Sequence, residues 1–187
     1  MLIEVTRTEV KTSETFVFSS LYETLHEFMV DEGYAKDDAE FPEEYYWESR
    51  TQQKGREYWI WWRLQKGTDN KFCNKKIHID LHGANVKDVE IMYQGKKVKA
   101  NKGKMEVIIR AMLEVDPGDS WKNSNWGFLR DIYVKRMWQR QRDEHKSDLI
   151  KDVKKIRAFV ADFINKPISI SMPEPFQPRK GYERENF

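Results

Sequence analysis

The segment His78-Ile79-Asp80-Leu81-His82 sets two imidazoles and a carboxylate at alternate positions. Alternate residues of a β-strand share a face, with neighbours on that face ~6–7 Å apart. Imidazole and carboxylate are legitimate ligands for a divalent metal. Three alternate positions on one straight strand diverge too far to grip one ion together. A metal site would need one or two of His78, Asp80 and His82 to join a ligand from another strand. The simpler reading is an amphipathic strand that turns these three to water and Ile77, Ile79 and Leu81 inward. No metal or other cofactor is assigned.

The remaining chemistry-bearing residues are scattered. His26 lies beside Leu25 at the border of an apolar helical stripe, and His145 sits in a highly charged stretch that reads as solvated. Cys73 follows Phe72 in a lysine-flanked loop. Nearby positive charge could lower a thiol pKa, but its local sequence holds no histidine, and it reads as a boundary cysteine. No GxSxG, P-loop, dinucleotide fingerprint, HExxH or CxxC motif occurs. No catalytic residue is assigned, and whether the chain is an enzyme is left open.

The densest aromatic stretch is Glu57 to Gly67, EYWIWWRLQKG. As a strand it places Tyr58, Ile60, Trp62 and Leu64 on one apolar face that must be buried. The other face holds Trp59, Trp61 and Arg63 with Glu57 and Gln65. On that second face the tryptophans either pack against a neighbouring strand's aromatics, the tail or a second subunit, or they meet a ligand. Cross-strand aromatic pairs contribute ~0.2–1 kcal/mol each. Stacking on nucleic-acid bases, with Arg56, Arg63 and Lys66 at phosphates, is the other use of such a face.

Composition narrows the field. The chain has 187 residues, 39% apolar and 34% charged, with a mean hydropathy of −0.83. That predicts one domain whose aromatics carry much of the burial. The formal net charge of +2 gives no global drive toward polyanions. Residues 54–104 carry thirteen Lys or Arg against five Asp or Glu, but these lysines cluster at turns and no RNP, KH or zinc-knuckle signature accompanies them. Nucleic acid therefore ranks last among the partners considered. A single cysteine excludes an internal disulfide framework and fits a reducing compartment. The N-terminus does not read as a signal peptide, and no apolar run approaches the ~20 residues that span a bilayer. The expectation is a cytoplasmic protein with no membrane partner.

These residues need elements to hold them. Residues 2–10 alternate as a strand with imperfect faces. Ser20 and Glu23 have capping-box spacing, Leu21, Leu25, Phe28 and Met29 follow helical spacing, and Gly33 suits a helix C-terminus, which predicts a helix over about 20–32. Residues 31–48 are strongly acidic and read as a solvated loop or short helix, or as a docking surface for a basic partner. Strands are predicted over 45–52, 56–66, 75–82, 86–93, 97–100 and about 105–115, with short turns between them. Leu149, Val153, Ile156, Val160 and Phe163 then continue a helical pattern that begins at Trp126. Residues 125–165 form one helix or two that break near Ser147. Between Lys135 and Arg157 stand nine Lys or Arg and four Asp or Glu, so this basic region could pair with the acidic segment. Residues 167–187 hold four of the six prolines and read as an extended tail to a single domain at 1–166.

The predicted fold is therefore α+β, an antiparallel meander of six to seven strands with one N-terminal helix and a long C-terminal helical region. This order, over residues 2–165, resembles the START-like, helix-grip (SRPBCC) superfamily, in which a curved sheet wraps a long final helix and leaves a cavity between them. The resemblance implies a binding module for an apolar or aromatic small molecule. Its cavity wall would comprise Trp47, Tyr58 and Trp62 from the sheet and Trp126, Tyr133 and Met137 from the helix. The alternative is a protein-interaction scaffold or homodimer built on Trp59, Trp61 and the long helix.

Overall fold

The computed structural model describes residues 1–36, 41–51, 55–68, 72–93, 96–117, 132 and 136–165. The element order is β1 (Leu2–Thr12), β2 (Thr15–Phe16), α1 (Phe18–Asp31), β3 (Glu43–Thr51), β4 (Gly55–Gly67), β5 (Cys73–Tyr93), β6 (Lys96–Val115) and α2 (Gln139–Asn165). Every pairing is antiparallel, in the order β1-β6-β5-β4-β3, with the two-residue β2 also on β6. The fold is α+β: a six-stranded sheet with an N-terminal helix and a long C-terminal helix on the same side of it. Among the described residues no helix is long and apolar enough to cross a membrane.

Two expected strand breaks are absent. The segments predicted at 75–82 and 86–93 form one strand, β5, and those at 97–100 and 105–115 form one strand, β6. The Gly83-Ala84-Asn85 stretch makes a bulge rather than a turn. The register slips between Ala84 and Lys87, and Asn85 takes a positive φ of 55°. An extra residue on one strand bends it without ending the ladder. Gly103 lies against this bulge, where an added Cβ would come within 2.8 Å of the Val86 Cα. A second bulge, between Glu4 and Thr6, explains the imperfect faces of β1. It brings Ile3, opposite Leu113, and Val10, opposite Val107, onto one face.

The core lies on the inner face. Tyr58, Ile60, Trp62 and Leu64 of β4 are buried, as are Ile77, Ile79 and Leu81 of β5 and Met105, Val107, Ile109 and Ala111 of β6. The helix α2 packs on β1 and β6 through Leu149, Val153, Ile156, Val160 and Ile164. It runs unbroken through Ser147, and its 27 residues span ~40 Å. Ile164 rather than Phe163 completes the buried stripe, so the final step is four residues. At the other end of the sheet, Cys73, Leu113, Val115 and Trp138 form a second cluster, with Phe72 edge-on to Trp138 at 5.2 Å.

Both ends of α1 are tied down. No side chain of the local sequence caps its N-terminus. Val17 is the N-cap, and the predicted Ser20–Glu23 box lies inside the helix. The Phe18 N–H instead donates to Asn101 Oδ1 of β6 at 3.0 Å. The C-terminus follows the expectation. Gly33, at φ 74°, donates to Val30, and Tyr34 donates to Met29, the two bonds of a Schellman motif. Tyr34 then reaches α2, donating to Asp152 Oδ2 at 2.6 Å, and burial together with that carboxylate pushes its phenol pKa up. One ion pair joins the acidic segment to the basic helix within the chain, Lys155 Nζ lying 3.4 Å from Glu32.

The two faces of β4 predict opposite costs of truncation. Trp62→Ala removes a fully buried indole, and urea unfolding should register a loss of ~3–5 kcal/mol. Trp61→Ala, on the other face, should cost about 1 kcal/mol or less.

Candidate functional site

The outer face of the sheet carries no helix among the described residues, and the polar and aromatic residues singled out in the sequence converge there. Register places them. Trp61 lies opposite Tyr45 on β3 and Asp80 on β5, and Trp59 lies opposite Trp47 and His82. Directly opposite residues share a face. Tyr45, Trp47, Trp59 and Trp61 therefore form an outward aromatic ridge that continues into His82. The Tyr45 and Trp61 rings are 4.6 Å apart, and Trp59 stacks on His82 at 3.8 Å. Glu57 holds this stack in place, accepting from Trp59 Nε1 at 3.1 Å and standing 3.4 Å from His82 Nε2.

Beside the ridge lies a charged network centred on Asp80. Arg63 Nη1 donates to Asp80 Oδ1 at 2.6 Å, and Arg110 Nη2 donates to Oδ2. One carboxylate thus orients two guanidiniums from the strands on either side of it. Arg63 also pairs with Glu44 at 3.0 Å and lies over the Trp61 ring at 5.6 Å. Further along the face, Lys76 pairs with Glu114 at 2.9 Å and Lys11 with Glu106 at 3.0 Å. Trp59, Trp61, Arg63, Asp80, His82, Glu106, Ile108 and Arg110 together line an open cavity of about 420 Å³. A second hollow of about 390 Å³ shares His82 and Glu106 and runs toward Lys11 and Thr12.

His78 stands opposite Arg63 and Arg110 in the ladder. Burial depresses its pKa first, then repulsion from the two guanidiniums and a smaller push from Lys76, against a rise from Asp80. His78, Asp80 and His82 do share a face, but each is committed differently: His78 sits among cations, Asp80 serves two arginines, and His82 stacks on an indole. Among the described residues no group of three or more His, Cys, Asp or Glu could hold a metal ion.

The inner-face aromatics are differently occupied. Tyr58 stacks on Phe18 of α1 at 4.4 Å. Trp62 meets Tyr22, His26 and Phe41 at 5.2, 6.2 and 4.8 Å, and its Nε1 donates to Glu43 at 3.0 Å. Tyr22 donates to the same carboxylate at 2.7 Å. The hairpin register puts Trp47 on the outer face, away from Tyr58 and Trp62. Met137 is 77% exposed. Trp126, Tyr133 and the tail lie outside the described residues. His26 is a boundary residue packed on Phe41 at 3.8 Å.

Two expectations change. His145 is half-buried, 6.0 Å from Trp138, rather than solvated. Cys73 is the first residue of β5 and fully buried, and that burial raises its thiol pKa despite Lys75 and a contact with Thr68. Residues the sequence reading missed are Arg110 and Ile108, which complete the cavity. The alternation Glu106, Ile108, Arg110 was visible, but which strand lies beside His78 and Asp80 was not.

Comparison of the chain with protein-family models, with curated proteins and with solved structures returns no significant match.

The depressed His78 pKa has a pH consequence. The unfolded chain takes up a proton near the ordinary value of 6.5, and the folded chain resists it. Stability is therefore full above that value and falls as the pH drops toward the folded pKa. Melting temperatures at about pH 7.5 and about pH 5.5 should differ less in His78→Gln than in the parent.

Proposed function

We propose that the protein is a binding module for a planar aromatic or apolar small molecule, held on the outer face of the sheet beside Trp59 and Trp61. The observation that carries this reading is the open 420 Å³ cavity walled by two indoles and an imidazole and floored by Ile108. Ligand sites are typically concave, ~300–1,000 Å³, mostly apolar or aromatic, and provided with a few convergent polar groups. Arg63 and Arg110, held in place by Asp80, supply donors whose orientation is set before a ligand arrives. The helix-grip resemblance locates a ligand between sheet and final helix. The contacts around Tyr58 and Trp62 favour the opposite side of the sheet, since their rings already pack against α1 and Phe41. That α2 lies over the inner face through β1 and β6 supports the helix-grip comparison at the level of architecture.

The face is poorly suited to a phosphate backbone. Of its cations, Arg63, Arg110, Lys76 and Lys11 have carboxylate partners. A nucleic-acid track needs cations free to replace counterions.

Titration with anilinonaphthalene sulfonate, a planar aromatic probe, tests the reading. The dye should quench tryptophan emission saturably, raise the melting temperature, and bind at least about tenfold more weakly to Trp59→Ala and Trp61→Ala. A response that does not saturate, or affinity unchanged in both variants, overturns it.

A further inference from the structure

The strand β3 ends the sheet. It pairs with β4 on one side and with no strand among the described residues on the other. Such an edge presents a row of backbone N–H and C=O groups that can template pairing with another chain, and proteins usually blunt it with lysine, proline, a bulge or a covering element. The opposite edge, β1, has several of these devices: Arg7 and Lys11, a bulge between Glu4 and Thr6, and α2 packed against it. From Glu43 to Thr51, β3 has neither lysine nor proline, and Arg50, near its end, is its one basic residue. Its one bulge lies at its start, between Glu43 and Tyr45, and Tyr45 to Thr51 keep regular register. This edge also exposes large aromatics on both faces: Tyr45 at 39% and Trp47 at 41% on the outer one, Tyr46 at 50% on the inner.

Three glutamates on the strand would ordinarily repel a second copy, but each is engaged within the chain. Glu43 accepts from Tyr22 and Trp62, Glu44 pairs with Arg63 at 3.0 Å, and Glu48 lies 3.9 Å from Arg56. Glu44 and Glu48 thus have guanidinium partners, and by formal charge Arg50 of the same strand offsets Glu43, so two such edges approach with little net like-charge repulsion.

We infer that β3 is a self-association edge, on which the β3 of a second copy adds antiparallel and joins two sheets into one. A two-fold axis through Trp47, normal to the sheet, sets Trp47 against Trp47 of the partner subunit, Tyr45 against Ser49 of the partner subunit, and Tyr46 against Glu48 of the partner subunit. Opposite residues share a face, so the two outer aromatic ridges become continuous and the backbone edge is satisfied. Aromatic cross-strand neighbours add to the pairing. This edge is separate from the cavity of the proposed function, which Trp47 does not line.

Sedimentation velocity and amide exchange test the inference together. The full chain should sediment at twice its 22.5 kDa mass at micromolar concentration. Tyr46→Lys and Trp47→Lys should each raise the dimer dissociation constant about tenfold or more, and Trp59→Ala should leave it unchanged. Those β3 amides that point away from β4 should become protected in the unmodified chain as concentration rises, a readout that survives if an edge variant fails to fold. A monomer whose outward-pointing β3 amides stay unprotected at every concentration overturns the inference, and so does a dimer that Trp59→Ala dissociates and the edge variants do not. Dye binding separates the two readings: a monomer that still binds the dye overturns only the edge, and a dimer that does not bind it overturns only the cavity.

Discussion

From Tyr58 to Leu64 in β4, side chains alternate across the sheet and the two environments they meet differ sharply. The odd member of each pair points to solvent and the even member to the core, so Ile60, Trp62 and Leu64 are fully buried and Trp59 is more than one-third exposed. A shift of one residue in register would bring Trp59, Trp61 and Arg63 into the core and turn Trp62 to water. The burial of Trp62 under Tyr22, His26 and Phe41 holds that register, and with it the identity of both faces. Everything on the outer surface, from the aromatic ridge to the Asp80 network, inherits its position from this alternation.

The helices are fixed to the inner face by a few polar contacts as well as by packing. Asn101 satisfies an N-terminal amide of α1 that its own sequence leaves uncapped, and Glu43 accepts from both Tyr22 and Trp62. The Tyr34 bond to Asp152 and the Lys155–Glu32 pair join the end of α1 to α2. Partly buried bonds of this kind contribute modestly each, about 1 kcal/mol, but they select one arrangement of two amphipathic helices that could slide on an apolar sheet. The more exposed Lys155–Glu32 pair adds less.

On the outer face the electrostatics are local and balanced. Asp80 draws two guanidiniums together, and the excess positive potential they create is registered by His78, whose proton they repel. Further along the face, Lys76 and Lys11 each have a carboxylate at hand. Such a face offers oriented donors and flat apolar rings without the broad positive field that polyanions require. This balance, more than the number of tryptophans, separates the small-molecule reading from a nucleic-acid one.

Much of this was legible in the residues themselves. Periodicity determined the element types, the inward face of β4, the apolar stripe of α2 through Val160 and the glycine that ends α1, because these depend on spacing within a single segment. The grouping of His78, Asp80 and His82 on one face was equally local. Pairing between segments was not. The Glu43–Tyr45 bulge and the hairpin register together decided that Trp47 lies outside, a choice that turns on a one-residue offset. The bulge at Ala84–Lys87 turned an apparent break into one long strand, since a bulge and a turn draw on the same small and left-handed residues. The partners of Asp80, the distant cap on α1 and the burial of Cys73 depended on which strands lie side by side. Only folding brings residues thirty or eighty positions apart into contact, so the site's chemistry was written locally and its assembly was decided by tertiary structure.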